Sequence, residues 1–151
     1  MPDRPTLVTG ASGFAGSHLL DRLSRQPVIG WHRPGRVPPS HFRHVLWRAV
    51  DVCDRDAVSA AIAADRPRRV YHLAGLPRVD TAWTDVGPHL QTNVLGTHHV
   101  LEAIRRVGQP CRLLIVSSAL VYAPQAEPID ETRPLRPSTP YGLSKLAQEQ
   151  L

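Results

Sequence analysis

The segment 140-PYGLSK-145 holds the only lysine of a 151-residue chain whose other 17 basic side chains are all arginine. It stands four residues after a tyrosine. On a helix, positions i and i+4 share a face, which would bring Tyr141 and Lys145 within about 5–6 Å at Cβ. A free phenol titrates near ~10 and is a poor general base at neutral pH. A neighbouring ammonium stabilises the phenolate and brings it toward a usable range. A forked, permanently charged guanidinium fits poorly where a compact point charge must serve two partners. The pair is a candidate for proton transfer, but it also matches a solvated Tyr–Lys pair on a surface helix. The choice depends on what else the chain brings to it.

A second chemical signal lies near the amino terminus. In 9-TGASGFAG-16, Gly10 permits a tight turn, Gly13 lets backbone approach an anion, and Gly16 allows a helix to pack close on a strand. At a strand–helix junction the helix N-terminus would offer unpaired N–H groups to a pyrophosphate, with Gly10, Ser12, Gly13, Phe14, Ala15 and Gly16 as the cofactor-binding candidates. Elsewhere, His41/His44 and His98/His99 have no carboxylate or thiolate at metal-site spacing beside them, so no metal site is expected. Neither Cys53 nor Cys111 has the surroundings of a nucleophile. Both lie in or beside apolar segments and read as reduced thiols.

These groups need a scaffold. Short apolar runs at Thr6–Thr9, Val28–Trp31, His44–Val50, Val70–Leu73 and Arg112–Ser117 alternate with helical patterns at Phe14–Arg25, Arg55–Asp65 and Val86–Val107. Pro140–Leu151 starts another helix, with Ser138 or Thr139 as its cap. The alternation predicts an α/β fold, a doubly wound, mostly parallel sheet in the order 3-2-1-4-5. Arg33–Ser40 reads as a Pro-rich surface loop. Residues 124–140 carry five prolines, which exclude helix and central strand and suggest a flap over the carboxyl end of the sheet.

Composition narrows the class. With 42% hydrophobic and 21% charged residues, the chain matches an ordinary globular domain. The net charge of +5 comes from scattered arginines, and aromatics are only 5%. Nucleic-acid binding is therefore not expected, and the charge reads as a bias toward small anions. No apolar run is long enough for a membrane span, and MPDRPTLVTG has no signal-peptide pattern, so a cytoplasmic protein is expected.

The spacing TGxxGxxG followed by YxxxK, with 72-HLAG-75, 92-TNVLGT-97 and 116-VSSALVY-122 between them in order, resembles the extended short-chain dehydrogenase/reductases. The resemblance is to their NAD(P)-dependent nucleotide-sugar epimerase/dehydratase branch, and it runs the whole length of the chain. It implies a Rossmann fold, a nicotinamide cofactor, a nucleotide-diphosphate sugar as substrate, and Ser118, Tyr141 and Lys145 as catalytic residues. Ser118 would orient the substrate hydroxyl or carbonyl; Ser117, alternating to the other face, reads as structural. Lys145 and Tyr141 would also contact the nicotinamide ribose. Asp51 and Val52 would meet the adenine, although Asp51 fits a capping carboxylate equally well. Leu73, Ala74 and Gly75 would line the cofactor's path. Asn93 would lie near the reaction centre or hold backbone. The second strand ends in 28-VIGWHR-33 without an acid at its tip, and Arg33 would receive a 2′-phosphate, so NADP is expected over NAD.

Two departures bear on the reaction. Dehydratases of this family carry an acid pair after the catalytic hydroxyl residue; here Ala119 and Leu120 stand there. That favours a 4-epimerase or 4-keto reductase over a 4,6-dehydratase. A non-catalytic dinucleotide-binding sensor is a further alternative, but it would not need Ser118, Tyr141 and Lys145 together. The chain also ends inside the YxxxK helix. Residues 1–151 are therefore expected to be the cofactor-binding part of a longer enzyme, without the substrate domain and inactive alone. An exposed last strand predicts marginal stability and association, a homodimer being one form.

Overall fold

A computed structural model of the protein describes residues 4–151. Five parallel strands form one sheet in the order β3-β2-β1-β4-β5. They are β1 (Thr6–Thr9), β2 (Val28–His32), β3 (Val45–Ala49), β4 (Arg69–His72) and β5 (Arg112–Ile115). The predicted strand order is the observed one. Because both faces are covered, all four residues of β1 are buried, the threonines Thr6 and Thr9 included. Successive side chains point to opposite faces, so Leu7 and Val8 serve different cores. Leu7 joins Ile29, Val70, Val58, Ile62 and Val100 beneath α2 (Arg55–Asp65) and α5 (Gly96–Val107). Val8 joins Leu20, Leu23, Val28 and Phe42 beneath α1 (Phe14–Arg22).

The helix ends follow side-chain chemistry. Asp54 starts α2, its Oδ1 accepting from the N–H groups of Asp56 and Ala57 at 3.1 and 3.0 Å. Thr139 caps α6 (Pro140–Glu149) by accepting from Gly142 N–H at 2.9 Å, with Pro140 in the first turn.

Several boundaries differ from the sequence reading. α1 stops at Arg22 rather than Arg25, because Ser24 and Arg25 are exposed and give the helix nothing further to bury. The helix expected over Val86–Val107 is composite: α4 (Gly87–His89), a π-helical stretch at Leu90–Leu95, then α5. The wide turn lies next to the site, as such insertions often do. A short helix, α3 (Val79–Thr84), and a 3₁₀ turn at Ala119–Val121 were not foreseen. Residues 124–140 form no helix or extended strand before α6 begins; an isolated antiparallel bridge joins Tyr122 to Leu135. Both cysteines are free and half-buried.

Candidate functional site

The carboxyl ends of the parallel strands open onto a cavity of about 530 Å³. One wall is backbone. Gly10 turns the chain out of β1 at φ +64°, where a Cβ would meet the Ala74 amide at 2.8 Å. Gly16 brings α1 so close that a Cβ would lie 2.4 Å from Gly10 O. Gly13 occupies the cap position of α1 with no side chain satisfying the first turn. Gly13, whose own N–H is given to Gly10 O at 3.0 Å, lines the cavity with Ser12, Phe14, Ala15 and Gly16, and the first turn of α1 opens onto it. An anionic, phosphate-bearing group fits such a cradle.

A second wall comes from the tips of β2 and β3. Trp31, His32 and Arg33 line it with Val50, Asp51 and Val52. Arg33 is exposed at the end of β2. Asp51 is the only acid among the described cavity-lining residues, and its Oδ1 accepts from Cys53 N–H at 2.9 Å. It shapes the turn before α2; the cap itself is Asp54. The end of β4 adds His72, Leu73, Ala74 and Gly75.

The third wall is built of side chains. Tyr141 and Lys145 both line the cavity, on the face of α6 that looks toward the glycine turn. Lys145 is buried at 6% exposure, and burial pulls its ammonium below the usual lysine range, opposed by the nearby Glu149 carboxylate. Its Nζ donates to Val116 O at 2.7 Å and to Gln148 Oε1. Asn93, fully buried in the π-helical stretch, both lines the cavity and holds backbone. Its Oδ1 accepts from Leu76 N–H at 2.8 Å and its Nδ2 donates to Ser144 Oγ at 3.0 Å.

The two serines are placed differently from the sequence reading. Ser118 caps the 3₁₀ turn, its Oγ accepting from Leu120 N–H at 3.2 Å, and is not among the residues lining the cavity. Ser117, expected on the far face, lines the cavity with a buried hydroxyl that has no partner among the described residues. The reason is that β5 ends at Ile115, so strand alternation no longer applies at positions 117 and 118. Other participants went unread. His72 bridges Thr9 and Thr97, and its burial, with the Lys145 charge adding to it, holds the imidazole down at about 4. His89 stacks edge-on against Tyr141, ring centroids 6.4 Å apart, while its Nε2 bonds Arg78 O at 2.8 Å. Only His72 carried a sequence signal, as the first residue of HLAG.

A glycine turn at the switch point of a doubly wound sheet, facing a Tyr–Lys pair on the sixth helix, defines an extended short-chain dehydrogenase/reductase. The profile of the NAD dependent epimerase/dehydratase family matches residues 6–151, and the chain belongs to that family. It is similar to UDP-glucose 4-epimerase 2 of Oryza sativa subsp. japonica, 32% identical over 163 residues, covering 98% of this chain and 40% of that protein. It is also similar to the GDP-6-deoxy-D-mannose reductase of Pseudomonas aeruginosa, 36% identical over 147 residues, covering 95% and 44% respectively. Among solved structures, the UDP-glucose 4-epimerase of Thermus thermophilus in complex with NAD superposes with a TM-score of 0.85 at 31% identity. That match covers 97% of this chain and 49% of the other. The chain thus spans less than half of each of these proteins. No helix among the described residues is long and apolar enough to cross a membrane.

Proposed function

We propose that the chain is the cofactor-binding, proton-transferring part of an NAD(P)-dependent enzyme that exchanges hydride at a carbon of a nucleotide-diphosphate sugar, as a 4-epimerase or 4-keto reductase. The observation that carries this reading is the meeting of Tyr141, Lys145 and the glycine turn on one cavity. The nicotinamide group, when bound, takes up or returns the hydride. The chain's own residues do the rest. The first turn of α1 would hold the pyrophosphate, Asp51 and Val52 would flank the adenine, and Leu73–Gly75 with Asn93 would line the path between them. Lys145 would hold the ribose hydroxyl and keep the Tyr141 phenolate charged. Tyr141 would take the proton of the sugar hydroxyl as the carbon gives up its hydride, and return it in the reverse step. Ser118 would orient the sugar oxygen, with Ser117 as the neighbouring hydroxyl on the cavity wall. Neither Ala119 nor Leu120 can move the proton that dehydration requires, so 4,6-dehydration is the lesser reading. Contacts to the rest of the sugar nucleotide would come from outside these 151 residues.

Two experiments test this. Tyr141→Phe in the enzyme that carries this chain should cut turnover of UDP-glucose by about 10²–10⁴-fold while leaving dinucleotide affinity nearly unchanged. Unaltered turnover would remove the proton-transfer role. For the cofactor, an exposed Arg33 and an Asp51 already engaged by backbone favour a 2′-phosphate. Fluorescence titration should show NADPH bound about tenfold more tightly than NADH. The opposite ranking by the same margin overturns the NADP preference.

A further inference from the structure

Lys145 is held by a chain of buried hydrogen bonds that the catalytic motif does not contain. Gln148, 1% exposed, presents Oε1 to the Lys145 ammonium and Nε2 to Thr97 Oγ1 at 2.7 Å. Since an ammonium only donates, this is the one amide orientation that satisfies both contacts. Thr97 gives its single hydroxyl proton to Asn93 O at 2.7 Å. Its oxygen must then accept from both Gln148 Nε2 and His72 Nε2, the latter at 3.0 Å. His72 therefore carries its proton on Nε2 and accepts at Nδ1 from Thr9 Oγ1 at 2.8 Å. Thr9 Oγ1 in turn accepts from Ala74 N–H at 3.1 Å. Every proton in the series has one place to be.

We propose that Gln148 is a positioning residue for Lys145. It takes one ammonium N–H and, through Thr97 and a neutral His72, ties the lysine to the residue that begins the glycine turn. Counting donors gives the consequence. The ammonium has three N–H groups; Val116 O takes one and Gln148 the second. A single N–H is left for the cavity that Lys145 lines. It is aimed by partners on β5's trailing residues and one helical turn ahead on α6, so the lysine approaches Tyr141 and the cofactor side in one pose. The meaning of that pose for chemistry rests on the proposed function; the tether does not. Three titratable groups lie around Lys145. Glu149 on α6 and His72 from β4 interact with its charge, and Tyr141 on α6 lines the same cavity.

Because Lys145 is the only lysine, labelling with ¹³C,¹⁵N-lysine yields one Nζ and one Cε signal, and the tether can be read directly in the cofactor-free chain. An ammonium held by two buried acceptors exchanges its protons slowly, so the wild-type Nζ cross-peak should be visible near pH 6. A solvent-exchanged, invisible Nζ overturns the proposal regardless of any variant. Gln148→Glu puts a carboxylate against the ammonium and should raise the Lys145 midpoint by about one unit, a tenfold gain in proton affinity. Gln148→Met, similar in volume but without an acceptor, should lower it. Opposite shifts in two variants with wild-type circular dichroism are what mere core packing would not produce. Midpoints unchanged within about 0.2 unit in both, or shifted in the same direction, refute the tether. NADPH titration of the same samples separates the two ideas. Absence of dinucleotide binding alongside the opposite shifts would sink the proposed function and leave the tether standing.

Discussion

The two principal walls of the cavity are built by different means. The glycine wall is backbone, compressed into the segment from Gly10 to Gly16, with Ser12, Gly13, Phe14 and Ala15 exposed along it. The Tyr141–Lys145 wall is side chain, assembled from β1, β4, α5 and α6, with Thr9, His72, Thr97 and Gln148 buried behind it. The first wall presents donors that never titrate; it is specified by the absence of atoms. The second presents groups whose protons must be placed, and it is specified by long-range partners. A backbone wall therefore fails when atoms are added, and a side-chain wall when protons move.

The largest expected effect comes from adding atoms. A Cβ at Gly16 would lie 2.4 Å from Gly10 O and 2.7 Å from Ala11 Cα, and neither backbone atom can rotate away. Gly16→Val should lower the unfolding free energy by about 3 kcal/mol or more and abolish dinucleotide binding. Urea unfolding measures the first, and a wild-type midpoint would show that the close approach is not what holds this wall.

Moving a proton tests the other wall. His72 sits at about 4 in the folded chain against an ordinary 6.5. Below 6.5 the unfolded chain binds a proton that the folded chain refuses. The stabilisation is thus whole above pH 6.5 and is lost as pH falls toward 4, by roughly 3 kcal/mol over that window. His72→Asn, less stable at pH 7, should show a shallower acid limb in the same unfolding measurements. Parallel limbs for the two proteins would mean that a charged His72 is tolerated and the proton order through Thr97 is wrong.

This division also explains what the sequence disclosed. The glycine turn and the Tyr–Lys face follow from local spacing, since each is fixed by residues within one or two turns of each other, while the strand order follows from the alternation of strands and helices along the chain. The backbone wall was readable residue by residue for that reason. What stood behind Lys145 was not. Gln148 and Thr97 are 51 residues apart, and nothing in LAQEQ distinguishes an inward glutamine from a solvated one. Ser117 was read as facing away because strand alternation was extended two residues past the end of β5, whereas it lines the cavity. The π-helical stretch escaped because its apolar spacing reads as ordinary helix, while the wider turn is set by packing on α6. Arg33 and Asp51 both line the cavity, and the geometry adds that Asp51 already serves a turn.

The smallest effect sharpens the contrast within a single helix. Thr139 accepts from Gly142 N–H and holds the first turn of α6, where Tyr141 lies. Lys145 lies one turn further on, fastened by Val116 O and Gln148 rather than by the cap. Thr139→Ala should cost about 1 kcal/mol of stability and speed amide exchange at Gly142 and Leu143, while Thr139→Ser should restore both. The Lys145 Nζ signal should not shift in either variant, because none of its acceptors depends on the cap. If the alanine variant moved that signal as much as it loosened the first turn, the lysine would be held by its helix. The side-chain wall would then be as local as the glycine wall opposite.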